Sequence, residues 1–100
     1  MVDFARPTFQ LGQIVATPAA LEVMAQGGHS LAEFLDRHVR GDWGGLSADD
    51  RQLNEEALKD GSRILSAYRT RNGKKIWIIT EAADDRGQRA ATTILLPDEY

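Results

Sequence analysis

Few side chains in this sequence are of the types that do acid–base or covalent chemistry. The only histidines are His29 and His38, and there is no cysteine. Cleaving a phosphodiester needs a general base, a general acid and a cation beside the developing phosphorane. His38, Arg63 and Glu81 supply those three types. Arg63 opens one predicted strand and Glu81 closes the next, which brings them to neighbouring positions of one sheet. The plainer alternative is an Arg63–Glu81 ion pair at the strand ends, with His38 on a helix surface. No H-x-x-x-H or HExxH spacing gathers metal ligands. No G-x-S-x-G elbow presents a nucleophile, and the glycines form no phosphate-cradling motif. The sequence therefore calls for no metal and no cofactor, and a non-enzymatic role leads.

Binding chemistry is better represented. Arg69, Arg71, Lys74 and Lys75 cluster around Asn72-Gly73, which could hold an anion or nucleic acid, or could simply keep a hairpin tip soluble. Asp49, Asp50, Glu55, Glu56 and Asp60 make one predicted helix acidic, a repeated negative charge that could occupy a nucleic-acid site on a protein partner by mimicry. Trp43, among Gly41, Gly44 and Gly45, is either an interface anchor or a plug over the core with its indole N–H bonded to a carbonyl.

The elements that position these residues can be read from capping and periodicity. Gln13–Thr17 is a β-branched run and reads as a strand. Thr17-Pro18 starts a helix with Thr as N-cap and Pro at the first helical position, and Leu21, Met24 and Ala25 share its inner face. Ser30-x-x-Glu33 is a capping box, followed by an apolar stripe of Leu31, Phe34, Leu35 and Val39. His29, just before it, reads as an exposed loop residue. Ser47-x-x-Asp50 opens a third helix, with Leu53, Ala57 and Leu58 inward, and Gly61 closes it. The period then changes to two. Arg63–Arg71 and Lys74–Glu81 are strands joined at Asn72-Gly73, the sequence of a type I′ hairpin. A two-residue turn pairs Tyr68 with Trp77, Ser66 with Ile79, Ala67 with Ile78 and Arg69 with Ile76. It also sets Arg71 against Lys74. Ala82–Ala91 is a polar loop, Thr92–Leu96 is the last strand, and Pro97 ends it. The order β-α-α-α-β-β-β predicts an α+β fold: three helices on one face of an antiparallel sheet with a C-terminal three-strand meander. The first strand is expected at an edge. Residues 1–12 are expected to form a mobile or loosely docked arm on a single domain over 13–100.

The 100 residues carry a formal charge of −3. That balance excludes a uniformly basic nucleic-acid coat. It hides an asymmetry: residues 1–60 hold five bases against ten acids, and residues 61–100 hold seven bases against five. No targeting segment and no membrane-length apolar run is visible, so a cytoplasmic protein with no membrane role is expected. Pairing of two copies through the sheet into a homodimer is a further expectation.

Several stretches carry a resemblance. They are Gly12–Pro18, Asp42-Trp43-Gly44, Leu58–Gly61 through Ser66-Ala67-Tyr68, Ile76–Glu81, and Thr92–Tyr100. Together they resemble a family of small uncharacterised bacterial proteins carried on plasmids and integrative elements. The resemblance spans roughly residues 10 to 100. The family runs more directly from Thr80-Glu81 into the final strand, so Ala83–Ala90 is a longer loop here. The resemblance implies a setting in mobile DNA, where small acidic proteins counter host defence. It assigns no residue a role. Separately, helices followed by an antiparallel sheet resemble the barnase/RelE-like nuclease architecture, which is what would give His38, Arg63 and Glu81 a ribonuclease reading.

Overall fold

A computed structural model describes residues 9–100. The elements are β1 (Gln13–Ala16), α1 (Pro18–Gln26), α2 (Leu31–Val39), α3 (Ala48–Asp60), β2 (Ile64–Arg69), β3 (Lys75–Thr80) and β4 (Ala91–Leu95), then a 3-10 turn over Pro97–Glu99. This is the expected α+β order. The sheet runs β1-β4-β3-β2. β1 does lie at an edge, but it pairs parallel to β4, so the sheet is mixed rather than wholly antiparallel. The connection between them decides this: α1 to α3, β2 and β3 lie between β1 and β4, and only adjacent strands joined by tight turns must alternate in direction. Of the expected arm, residues 1–8 lie outside the described residues. Phe9 stacks on Trp43, and the Leu11 carbonyl accepts from the Thr92 hydroxyl at 2.7 Å.

The helix starts form as their residues dictate. Thr17, Ser30 and Ser47 each accept from the backbone N–H three residues on, at 3.1, 3.2 and 3.2 Å. The reciprocal half of the Ser30 box is missing, because the Glu33 carboxylate is bonded to His29 Nδ1 at 2.8 Å. Ala20 and Met24 are buried in α1, while Leu21 is exposed. The inner face of α1 is therefore rotated by one position from the expected one. On α2 the buried pair is Phe34 and His38, and on α3 it is Asn54 and Ala57. A main cluster of Ala20, Met24, Phe34, Tyr68, Ile76, Ile78 and Ile94 joins α1 and α2 to one sheet face. A smaller one, of Trp43, Ala57 and Ile64 with Phe9, Leu46 and Leu58, fills the margin under α3.

The hairpin corrects the expected register. Tyr68 faces Ile76, Ala67 faces Trp77, Ser66 faces Ile78 and Arg69 faces Lys75. The loop has three residues, not two. Gly73 N–H bonds the Thr70 carbonyl and Thr70 N–H bonds the Lys74 carbonyl, both at 2.9 Å, with Gly73 at φ +77°. That is a type I turn followed by a left-handed glycine, the other geometry that Asn-Gly serves. A one-residue slip sends side chains to opposite faces. Tyr68 accordingly stacks on Phe34 in the core, and Trp77 meets Tyr100 on the other face. No Tyr68–Trp77 pair exists.

Candidate functional site

The three residues of the nuclease reading are not brought together. His38 has no solvent exposure and faces the helix side of the sheet. Arg63 is exposed, donates to the Tyr100 hydroxyl and lies over that ring, which packs on Trp77 on the opposite face. Glu81 is exposed at the end of β3, and Arg63–Glu81 is not among the ion pairs of the described residues. The expectation of a surface His38 is also overturned. The spacing already pointed inward, since His38 follows the core residue Phe34 by four; its polar type is what suggested the surface.

His38 anchors a buried polar chain whose direction can be worked out. The Thr92 hydroxyl donates to the Leu11 carbonyl, which can only accept. Thr92 Oγ1 must then accept from Thr80, at 2.7 Å. Thr80 has spent its proton, so it accepts from His38 Nε2 at 2.8 Å. The imidazole is therefore protonated on Nε2, and Nδ1 accepts from the Ser66 hydroxyl at 2.5 Å. Every group is satisfied with His38 neutral, and burial lowers its pKa to about 4. The chain fastens α2 to β2, β3 and β4 at once. It is a structural device, sealed beneath the Phe9 ring at 5.1 Å.

The four bases around the turn take different roles. Arg71 donates to the carbonyls of Gly27 and Gly28 at 2.8 and 3.1 Å, and Asn72 donates to the Gln26 carbonyl. The hairpin tip thus caps the C-terminal end of α1, and is no free finger. His29, expected as an exposed loop residue, joins this contact: Nε2 accepts from the Arg71 N–H at 3.0 Å, so Nδ1 donates to Glu33. Lys74 borders a shallow depression with Val23 and Asp98. Arg69 and Lys75 are both exposed and face one another across the ladder.

Those two cations line a cleft of about 610 Å³ at the outer edge of β2. Its other walls include Arg37, Asp42, Ser47, Asp50, Ala67 and Trp77. Arg37 is tied to Asp42 at 2.7 Å and lies 4.4 Å over the Tyr68 ring. The hydrogen bond from Arg37 holds the Asp42 carboxyl below its usual range, and Asp42 holds Arg37 higher in turn. Tyr68 donates to the Asp42 carbonyl, and its burial pushes the phenol well above its ordinary value. The Arg37–Asp42 pair is thus one fixed wall.

The same edge is closed by design further along. Asn54 donates to the Leu65 carbonyl at 2.6 Å and accepts the Leu65 N–H at 3.1 Å. Ala67 exchanges bonds with the Trp43 carbonyl and Gly45 N–H. Gly44 makes this approach possible: a Cβ there would lie 2.0 Å from the Ala67 carbonyl oxygen, and φ is +74°. Trp43 is buried and serves as the plug, not as an exposed anchor. Its indole N–H reaches the Glu55 carboxylate at 2.8 Å instead of a carbonyl.

Of the acidic helix residues, Glu55 is so engaged, and Asp60 accepts the Ser62 N–H at 2.8 Å. Asp49, Asp50 and Glu56 are exposed. Leu53, expected inward, is 61% exposed. Asn54 took the inward position because the β2 edge needed a donor and an acceptor, not a methyl group. The 82–91 segment also has a structural role. Ala83 and Arg89 form a bridge, and Arg89 donates to the carbonyls of Ser62, Glu81 and Ala57, capping α3. No family model matches this chain, and neither a curated protein nor a solved structure matches it.

Proposed function

We propose that this protein is a non-enzymatic binding module of mobile DNA that docks on a basic surface of a protein partner through the outer face of α3, as an inhibitor of host defence. One observation carries this reading: Leu53 lies exposed in the middle of an acidic stripe. Asp49, Leu53, Glu56 and Asp60 are spaced i, i+4, i+7 and i+11, so they share one helix face. An apolar anchor ringed by charge is the composition of an interface centre with a polar rim. The rest of α3 is fixed through Asn54, Glu55, Ala57 and Arg89, so the stripe is presented without ordering cost. The mobile-element setting rests on the family resemblance alone.

A pull-down from the native host with mass spectrometry identifies the partner. Binding of that partner is then measured with Leu53→Ala and with Asp49→Asn/Glu56→Gln/Asp60→Asn. Leu53→Ala is expected to weaken binding about tenfold or more. The neutralised stripe is expected to slow association and flatten its salt dependence. Unchanged binding in both variants refutes the reading. Cleavage of RNA by the purified protein, lost in Glu81→Gln, would favour the ribonuclease alternative instead.

A further inference from the structure

The Arg69–Lys75 pair poses a problem that the fold alone does not solve. Like charges directly opposite on neighbouring strands destabilise a sheet. Neither side chain takes part in an ion pair among the described residues. Arg69 makes one long bond, at 3.4 Å, to the Gly73 carbonyl. Both cations stand on the sheet face opposite the helices, two residues along their strands from Ala67 and Trp77. Ala67 is small, so the indole of Trp77 is open towards the cleft that all four residues line. The indole N–H of Trp77 has no partner among the described residues, in contrast with that of Trp43.

We propose that this cleft binds a nucleotide unit, its phosphate held between Arg69 and Lys75 and its base laid against Trp77. The phosphate would turn a repulsive pair into two charge-assisted contacts. The indole supplies the sequence-tolerant stacking surface that such sites use. A volume of about 610 Å³ is that of a small-ligand cleft. The backbone adds to it. The ladder alternation directs the N–H and C=O of residues 65, 67 and 69 outward, and Arg69 is the one of the three left unpaired within the described residues. Its N–H is a further donor at the cleft. On the far wall the Asp50 carboxylate repels the phosphate towards the hairpin, and it offers an acceptor to the amino edge of a base. This site is independent of the α3 stripe, and either can fail without the other.

The test is an NMR titration of the whole protein that follows the two tryptophan indole N–H signals. The probes are adenosine 5′-monophosphate, adenosine, inorganic phosphate and a short single-stranded oligoadenylate. The monophosphate is expected to give a saturable shift of the Trp77 signal and leave the Trp43 signal in place. Arg69→Gln and Lys75→Gln should each weaken it about tenfold, and Trp77→Leu, followed through the Lys75 amide, by a similar factor. Arg69→Gln should also raise the Tm of the free protein, because it removes the repulsion. An oligoadenylate that binds about tenfold tighter or more than the monophosphate identifies a strand as the ligand, and equal affinity identifies a free nucleotide. The proposal is overturned if neither the monophosphate nor the oligoadenylate gives a saturable Trp77 shift. It is equally overturned if the shift survives both Gln variants, or if adenosine or inorganic phosphate alone binds as tightly as the monophosphate.

Discussion

His38 shows how much one side chain can fix. With Nε2 protonated, the imidazole completes a one-way chain from Ser66 to the Leu11 carbonyl. A second proton on Nδ1 would face the Ser66 hydroxyl and displace its hydrogen from the only acceptor the chain gives it. Burial therefore lowers the pKa from its ordinary 6.5 to about 4. The unfolded chain takes up this proton first as pH falls. Stability from His38 is thus fully present above pH 6.5 and is lost as pH falls towards 4. The total loss is about 3 kcal/mol. Urea denaturation between pH 7 and pH 4 should show this slope in the natural protein and a flatter one in His38→Leu. Identical slopes would refute the neutral, sealed histidine. Thr92→Val, which removes both the acceptor for Thr80 and the donor to Leu11, should cost about 1–3 kcal/mol at pH 7.

At the scale of elements, α3 is held to the sheet by hydrogen bonds as much as by apolar contact. Asn54 stands in for a missing neighbouring strand, giving β2 one donor and one acceptor. Trp43 and Gly45 do the same one step along. An open strand edge is a template for aggregation, and this one is occupied by the chain's own loop and helix. Asn54→Ala leaves both Leu65 groups unpaired and should cost about 1–3 kcal/mol, with faster amide exchange at Leu65. Asn54→Asp keeps the acceptor but not the donor, and places a carboxylate against the Leu65 carbonyl, so it should be worse than Ala. Exchange at Leu65 unchanged in either variant would contradict the pairing. The hairpin tip is likewise an element contact. Arg71 and Asn72 close the end of α1, so one of the four bases of the cluster is committed to the fold.

For the whole molecule, the uneven charge of the sequence becomes two separated features. Five of the ten acids of residues 1–60 lie on α3, and two of the sheet part's bases, Arg69 and Lys75, stand together beside a cleft. Both lie outside the core, so their substitution should leave the fold intact. Leu53→Ala should change unfolding free energy by about 0.5 kcal/mol or less. Phe34→Ala, by contrast, opens the cluster that joins two helices to the sheet and should cost about 3–5 kcal/mol. Denaturant titration separates these outcomes, and comparable losses in the two variants would place Leu53 in the core. No helix among the described residues is long and apolar enough to cross a membrane.

The sequence alone determined the elements, their order and their caps. Those are set by local chemistry: hydroxyls at Thr17, Ser30 and Ser47 accept from amides three residues away, and Gly61 takes the left-handed position at the end of α3. It also located the basic and acidic clusters. Tertiary structure decided which of those charges are spent, and on what. It turned Asn-Gly into a three-residue loop and so moved every side chain of the hairpin by one position. It made β1 parallel to β4, drew His38 into the core, and set Asn54 inward with Leu53 outward. In each case the deciding partner lies far along the chain: Thr80 for His38, Leu65 for Asn54, Gln26 for the turn. A polar group is buried where such a partner satisfies it, and periodicity, which reads only neighbours, carries no record of who that partner is.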